Sequence, residues 1–176
     1  AYSILEAGGN AVDAALAANT VLCVAEPHMT GIGGDCFVLY APAGGGVVAL
    51  NGSGRSAQGA SAASLRDQGV SEIADTNAHA MTVPGAVDAW CRLHGDYGTL
   101  PLEQLLAPAI TLAENGSIIT PRVAYDWQSC HEKLSDSASA RGVFLNDGEP
   151  FKAGDRFANP ALGKTLGRIA KEGRSA

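Results

Sequence analysis

The feature that most constrains the fold is the order of segments between Asn10 and Asn51. An apolar stretch with helical spacing (11–25) comes first, followed by the glycine-rich loop GIGGD (31–35). Two apolar runs then follow, CFVLY (36–40) and VVALN (47–51), and the turn APAGGG joins them. Two apolar runs on either side of a Gly/Pro turn predict a β-hairpin. Since neither run alternates apolar with polar residues, we expect both faces of the hairpin to be covered. A buried helix packed on such a hairpin favours a layered α/β or α+β architecture.

The rest of the chain is predicted to be mainly helical. Asn10 and Asp13 form a capping-box pattern at the start of a helix that is predicted to run to about Val24 and to be ended by Pro27. Thr99 is predicted to cap a later helix whose first turn holds Pro101. The stretch SDSASARG (135–142) is predicted to be a flexible loop. Further helices are predicted at 2–7, 61–68, from about 84, at 99–116, from 121 to about 134, and from 160 to about 171.

Charge and composition exclude several classes of partner. The net charge is −6, and the 12 Lys and Arg residues form no run, whereas nucleic acids and anionic membranes require a basic face. The longest apolar stretch, 11–25, contains polar residues and is too short to span a bilayer. We therefore expect no nucleic acid and no membrane as partner. A length of 176 residues fits one domain, and we expect no internal domain boundary.

Cysteine and histidine spacings do not indicate a metal site. The four cysteines form no C-x-x-C pair, and the four histidines show no H-x-x-x-H or H-x-x-E-H spacing. We therefore expect no metal and no other cofactor. The cysteines are most simply buried free thiols, although two disulfides stay possible in an exported protein.

The glycine-rich loop allows two interpretations from the residues alone. A phosphate cradle would place the glycines after a strand and before a helix, so that the helix N-terminus faces the anion. Here the order is helix, loop, strand, and GIGGD matches neither G-x-G-x-x-G nor a Walker motif. The alternative is a tight turn in which Gly31, Gly33 and Gly34 supply positive φ and close packing.

Three longer motifs carry a family resemblance. The segment LEAGGNAVDAALAANTVLCVAEPHMTGIGGDCFVLY, together with MTVPGAVDAW and DYGTLPLEQLLAPAITLAENG, resembles the γ-glutamyltranspeptidase family. The resemblance covers residues 1 to about 125 well and the rest more loosely. It implies an N-terminal nucleophile hydrolase with an α+β, four-layer αββα fold, of which residues 1–176 would be a partial large-subunit segment.

The resemblance also implies where the chemistry lies. Such proteins are made as precursors that cut themselves into a large and a small subunit, and the new N-terminal Thr of the small subunit is the nucleophile. That Thr and the glycine pair of the oxyanion hole belong downstream, so we expect no catalytic residue in this chain. The implied partners are the small subunit from the same precursor and a small amide or γ-glutamyl substrate.

The loop NGSGRSAQGAS (51–61) is the predicted substrate-binding segment. In typical members of the family this place resembles D-x-R-E-x-A-P, whose Arg grips the α-carboxylate of the glutamyl group. Here Ser53 stands where that Arg would fall, Gly54 replaces the Glu, and Arg55 follows two residues later. We therefore predict Arg55 and Ser53 as substrate-binding residues and expect the amidohydrolase and acylase branch of the family. The alternative for Arg55 is an exposed loop charge.

Several single residues have structural predictions. Asp13 and Asp88 are expected to cap helices or to form pairs on helix surfaces. Asp35 is expected to have a structural role, either at a helix N-terminus or as a cap of the strand turn. His28 is expected to be a hydrogen-bonded structural histidine, and Trp90 and Trp127 are expected in the core.

Two other functions and the ends of the chain complete the expectations. The rival function is a non-catalytic fragment or degenerate homologue acting as a structural subunit, and a small anion- or nucleotide-binding domain is disfavoured by the order of the loop. The chain starts without Met in a helical pattern and ends just past a helix. We therefore expect it to be part of a longer polypeptide, and its localisation stays open.

Overall fold

The computed structural model describes residues 1–74 and 76–176. The helices are α1 Tyr2–Glu6, α2 Ala11–Ala25, α3 Ala62–Asp67, α4 Ala86–Tyr97, α5 Leu102–Asn115, α6 Pro121–Ser129, α7 His131–Asp136, α8 Ala138–Phe144 and α9 Pro160–Glu172. The strands are β1 Cys36–Tyr40, β2 Val48–Gly52, β3 Ser117–Ile118, β4 Leu145–Asn146, β5 Glu149–Pro150 and β6 Arg156–Phe157. Short 3₁₀ turns lie at Ala78–Ala80 and Gly173–Ser175. These residues form two compact units, one of Ala1–Gly31 with Cys91–Ala176 and the other of Ile32–Trp90.

Helix α2 begins with the predicted capping box. The Asn10 side chain accepts hydrogen bonds from the amides of Val12 and Asp13, and the Asp13 carboxylate accepts one from the Asn10 amide. This reciprocal pair satisfies N–H groups that a helix start leaves without partners. In the same unit α2 packs against α5, and α5 packs against α9. The helices contribute apolar side chains that are buried: Val12, Leu16, Val24, Leu105, Leu106, Ala109, Leu166 and Ile169.

Asp13 also binds a segment far along the chain, which corrects two predictions. It is fully buried, not on the helix surface, and it accepts hydrogen bonds from the Thr99 hydroxyl at 2.5 Å, the Thr99 amide at 3.1 Å and the Leu100 amide at 3.3 Å. Thr99 therefore does not cap α5, whose N-cap is Pro101 without a side-chain hydrogen bond. The carboxylate is the stronger acceptor, so Thr99 donates to it.

A cluster of aromatic rings forms a second apolar centre in this unit. Trp127 is 2% exposed, as predicted for a core residue, and its ring meets those of Phe144, Phe151 and Phe157 edge-on at centroid distances of 5.9, 5.5 and 4.9 Å. Edge-to-face contacts of this kind add to the stabilisation from buried area.

The predicted flexible loop at 135–142 is wrong, and so is the predicted single helix from 121 to about 134. The chain breaks at Cys130 between α6 and α7, and α8 then runs over Ala138–Phe144. The Ser137 hydroxyl accepts a hydrogen bond from the Ala140 amide and starts α8. The polar composition of residues 135–142 led to the prediction of a loop. The last residue of α8, Phe144, belongs to the aromatic cluster.

In the second unit β1 and β2 pair antiparallel, as the hairpin prediction expected. The register joins Cys36 to Gly52 and Tyr40 to Val48. Burial alternates along both strands, and Phe37 and Leu39 are 69% and 79% exposed. Within residues 1–74 and 76–176 one face of the hairpin is therefore open, because the residue at every second position faces outward. Cover on both faces stays a prediction for the longer polypeptide, whose later strands we expect to complete the sheet.

Three glycines let backbone segments of the second unit come into contact. A Cβ on Gly52 would meet the Ala89 side chain and the Cys36 carbonyl, and one on Gly54 would meet the Val83 carbonyl. A Cβ on Gly85 would meet the Gly52 carbonyl. Since these neighbours are mostly backbone atoms, they cannot move aside cheaply. The end of β2 and the chain before α4 are therefore held at a distance that only glycine permits.

Gly85→Ala in the complete protein is expected to lower the free energy of unfolding by about 1–3 kcal/mol, as overpacking does. Gly95→Ala is the matched control on α4, because nothing lies within 4 Å of its Cβ position. It should stabilise by about 0.5–1 kcal/mol, since alanine is the better helix former. Urea denaturation measures both changes, and a Gly85→Ala protein as stable as wild type would contradict the close backbone contact.

The hydrophobic helices are short. Among residues 1–74 and 76–176, no helix combines the length and the apolar character needed to cross a bilayer.

Candidate substrate-binding loop

The predicted substrate-binding residues lie just beyond the end of β2, in the Ile32–Trp90 unit. Ser53 and Arg55 are both exposed. The Ser53 amide donates to the Asn51 side chain at 3.0 Å, which turns the chain as it leaves the strand. Both residues are thus in the same short loop, at alternate positions.

The backbone on both sides of Arg55 is anchored. The amide of Gly54 donates to the Asp35 carboxylate at 2.8 Å, and the carbonyl of Arg55 accepts from the Val83 amide at 2.8 Å. Arg55 therefore extends an exposed side chain from a backbone that is hydrogen-bonded before and after it. Asp35 has the structural role at the strand turn that the sequence predicted.

The glycine-rich loop supports this arrangement through its last two residues. The Gly34 carbonyl accepts hydrogen bonds from the amides of Gly85 at 3.0 Å and Ala86 at 2.9 Å. The side chain of Asp35 accepts the hydrogen bond from the Gly54 amide described above. The loop joins the start of α4 to the hairpin, and along the chain it follows α2 and precedes β1. This geometry agrees with the turn interpretation and not with a phosphate site.

The predicted reason for the loop glycines is corrected. Gly31, Gly33 and Gly34 are not among the described glycines with positive φ, and a Cβ on Gly31 or Gly33 would meet nothing within 4 Å. The glycines that this unit needs for close packing are Gly52, Gly54 and Gly85. Only their three-dimensional neighbours reveal this, since each of the three contacts residues distant in sequence.

The guanidinium of Arg55 makes no hydrogen bond or ion pair with any residue in 1–74 or 76–176. An exposed guanidinium of this kind can offer its planar fork to a carboxylate, with two parallel charge-assisted hydrogen bonds. The arrangement can therefore bind an anionic group. Residues 51–61 contain no His, Asp, Glu or Lys that could act as a base for their serine hydroxyls.

The Cys36 thiol, in the strand next to the binding loop, lacks the features of an activated nucleophile. The four cysteines are thiols and not disulfides, and Cys23 is buried while the other three are partly buried. Burial raises the pKa of the Cys36 thiol, and the nearby Trp90 indole N–H offsets only part of that rise. This N–H lies near the sulfur but outside ordinary hydrogen-bond geometry. A partly buried thiol with a raised pKa carries little thiolate and is chemically quiet.

No group of three or more His, Cys, Asp or Glu side chains among the described residues is arranged to hold a metal ion. A group of three charged or titratable side chains, His28, Arg122 and Asp126, lies in the unit of Ala1–Gly31 and Cys91–Ala176. His28 Nε2 lies 3.1 Å from Asp126 Oδ2, and Arg122 Nε lies 2.8 Å from the same oxygen. The Arg122 hydrogen bond is the main cause of the lowered pKa of Asp126. His28 was expected to be a hydrogen-bonded structural histidine, and its Nε2 is hydrogen-bonded to Asp126. Its buried Nδ1 has no hydrogen-bond partner among the described residues.

Comparison with known proteins identifies the class. The family described as gamma-glutamyltranspeptidase matches residues 1–176, and the chain belongs to this family. The fold agrees: the structure aligns with γ-glutamyltranspeptidase from Helicobacter pylori at a TM-score of 0.92 and 33% identity, over 98% of this chain and 50% of that one. It aligns with cephalosporin acylase from Bacillus halodurans at a TM-score of 0.91 and 35% identity, over 97% and 33% of the two chains.

Two curated relatives of the chain are named as proenzymes. The chain is 36% identical to the glutathione hydrolase-like YwrD proenzyme of Bacillus subtilis strain 168, over 98% of this chain and 33% of the relative. It is also 36% identical to the oxamate amidohydrolase proenzyme of Klebsiella pneumoniae, over 98% and 34%. The chain thus spans about a third of these relatives. The predicted family is confirmed, and so is the α+β class within the N-terminal nucleophile hydrolase fold.

Proposed function

We propose that residues 1–176 are the first part of the large subunit of an amide-bond hydrolase or acyltransferase that is made as a self-cleaving precursor. The observation that carries this proposal is the family match over the whole chain, together with relatives named as proenzymes. The partner is the small subunit from the same precursor. Its new N-terminal Thr, located downstream of this chain, is the nucleophile.

The chemistry follows from the properties of an N-terminal threonine. Its hydroxyl attacks the amide carbonyl, its α-amine takes the hydroxyl proton, and the amide C–N bond breaks as the amine leaves with that proton. The acyl group stays on the Thr oxygen as an ester. Water then releases it as an acid, or an acceptor amine takes it as a new amide.

The role of this chain is to hold the acyl group. Arg55 binds a carboxylate at the far end of the acyl chain, and Ser53 contributes a hydroxyl beside it. The exposed guanidinium on an anchored backbone supports this role. Since Ser53 stands where typical transpeptidases carry their Arg, the acyl group is a small acid other than strictly γ-glutamyl. The names of the relatives, which include an oxamate amidohydrolase and a cephalosporin acylase, support that breadth.

Expression of the complete precursor is the test of this function. We expect it to split into two chains on its own and to cleave a glutaryl, γ-glutamyl or small oxoacid anilide. Replacement of the Thr at the new N-terminus should abolish both events. A complete protein that stays in one piece and cleaves none of these amides would favour the non-catalytic, structural homologue.

Residues 1–176 expressed by themselves are expected to be inactive, because the chain supplies a binding loop without the nucleophile. The measurement is release of the anilide chromophore compared with buffer alone. The self-cleaved complete enzyme, assayed at the same concentration, is the positive control. Turnover by 1–176 above the buffer rate would contradict the assignment of the chemistry to a downstream Thr.

A further inference from the structure

We propose that Asp35 is a positioning residue for acyl recognition: its carboxylate holds the Gly54 amide so that Arg55 faces the carboxylate of the acyl group. This inference rests on the proposed function and adds to it a second residue that sets the choice between acidic and neutral acyl groups. Asp35 is the last residue of the glycine-rich loop, and it does not itself touch the substrate.

The first argument is that the Asp35 carboxylate binds the Gly54 amide just beyond the last paired residues of the β1–β2 hairpin. The β1–β2 register ends with Cys36 opposite Gly52, and a continued ladder would place Gly34 opposite Gly54. The Gly34 carbonyl, however, is used by the amides of Gly85 and Ala86. The Asp35 side chain takes over and accepts from Gly54 at 2.8 Å. The loop therefore leaves the sheet without losing its tie to β1.

The second argument is the stiffness of the backbone around Arg55. Gly54 lies against the Val83 carbonyl so closely that a Cβ would collide with it, and the Arg55 carbonyl accepts from the Val83 amide. The Asp35 bond fixes the opposite side. With contacts on both sides, the Cα of Arg55 has little freedom, and a side chain held in this way binds with a smaller loss of conformational entropy.

The third argument concerns the type of acceptor. Asp35 is exposed, and its carboxylate also acts electrostatically on the loop. A charged acceptor makes a stronger hydrogen bond to an amide than a neutral one, but its field opposes an anionic substrate. Positioning and field predict opposite effects of removing Asp35: loss of the tie weakens binding of acidic acyl groups, whereas loss of the negative charge strengthens it.

The experiment compares Asp35→Ala with Asp35→Asn in the complete, self-cleaved enzyme. Glutaryl-anilide carries a free carboxylate, and butyryl-anilide is its neutral counterpart of similar length. Asp35→Ala should lower kcat/KM about 10-fold for the glutaryl substrate, mainly through KM, and less than about twofold for the butyryl substrate. Asp35→Asn keeps an oxygen acceptor for the Gly54 amide and should stay within about threefold of wild type. Asp67→Ala, an exposed acid at the end of α3 in the same unit, is the control and should change neither rate.

A double substitution tests whether Asp35 acts through Arg55. In an Arg55→Ala background, Asp35→Ala should cause little further loss, because the side chain that it positions is absent. Equal losses on the two substrates, additive losses in the double variant, or a gain on the glutaryl substrate in both Asp35 variants would each overturn the proposal.

Binding of free glutarate separates this inference from the proposed function. If the complete protein cleaves no amide, the proposed function fails, yet calorimetry still reports on the site. Asp35→Ala and Arg55→Ala should then each weaken glutarate binding by about 10-fold or more relative to wild type. Affinity unchanged by Asp35→Ala would overturn the positioning role even where turnover is normal.

Discussion

Arg55→Ala in the complete, self-cleaved enzyme is expected to lower kcat/KM for acyl groups with a free carboxylate by roughly 30- to 1000-fold. The reason is the loss of a bidentate, charge-assisted pair in a site that the substrate partly covers. Neutral acyl substrates should be affected much less, and self-cleavage should continue, because that step needs the Thr and its own surroundings. Steady-state rates on glutaryl- and butyryl-anilide measure the contrast.

Two further variants make the Arg55 result specific. Arg55→Lys should recover only part of the loss, since an ammonium keeps the charge without the planar fork. Arg66→Ala removes another exposed arginine of the same unit, in α3, and should leave both rates near wild type. If Arg55→Ala has the wild-type kcat/KM on the acidic substrate, Arg55 is an exposed loop charge and another residue holds the carboxylate.

Asp13→Ala is expected to lower the free energy of unfolding of the complete protein by about 2–4 kcal/mol. The carboxylate is fully buried and accepts from the amides of Asn10, Thr99 and Leu100 as well as the Thr99 hydroxyl. Its removal leaves these donors of part-buried hydrogen bonds without their acceptor and releases the segment before α5 from the start of α2. Urea denaturation at neutral pH measures the change.

The pH dependence of the same group has a definite sign. Burial raises the pKa of Asp13, but hydrogen bonds led by that of the Thr99 hydroxyl outweigh burial and hold this pKa below its usual 3.8. The unfolded chain therefore takes up a proton near pH 3.8, before the folded chain does. The contribution of Asp13 is fully present above that pH and is lost as the pH falls through the folded pKa.

Asp13→Asn tests this sign, because it cannot titrate. Its unfolding free energy should fall less steeply than that of wild type as the pH drops below about 3.8. Asp67→Asn, at an exposed position, should leave the slope as in wild type. Parallel stability curves for Asp13→Asn and wild type over that range would contradict the lowered pKa.

The family and the outline of the binding loop could be predicted from the sequence. The motifs around the glycine-rich loop identified the γ-glutamyltranspeptidase family, which the match over residues 1–176 confirms. The chain places Arg55 and Ser53 together in an exposed loop, and their roles in substrate binding stay predictions. Asp35 was expected to have only a structural role at the turn, since nothing in GIGGD indicates that its carboxylate reaches Gly54, 19 residues later.

The starts of α2, α6 and α9 could be predicted from capping residues in the sequence. Asn10, Thr120 and Asn159 each accept a hydrogen bond from an amide two or three residues ahead, and such contacts depend only on neighbouring residues. The hairpin likewise followed from two apolar runs and a Gly/Pro turn. The sequence by itself therefore determined the hairpin and these helices, whose stabilising partners lie within a few residues. Helix α8 is an exception, because its local cap at Ser137 was not recognised in a polar segment.

Only the tertiary structure decided which partner a polar group takes when a distant one is available. Thr99 looked like a helix cap, yet it donates to a carboxylate 86 residues away, because a buried anion is a better acceptor than anything the local chain offers. The same holds for the glycines: those in the loop have open space or ordinary φ, whereas Gly85 is required by a carbonyl of Gly52. Contacts between segments far apart in the chain depend on how the helices and strands pack. A local sequence pattern does not show which distant segments will come into contact.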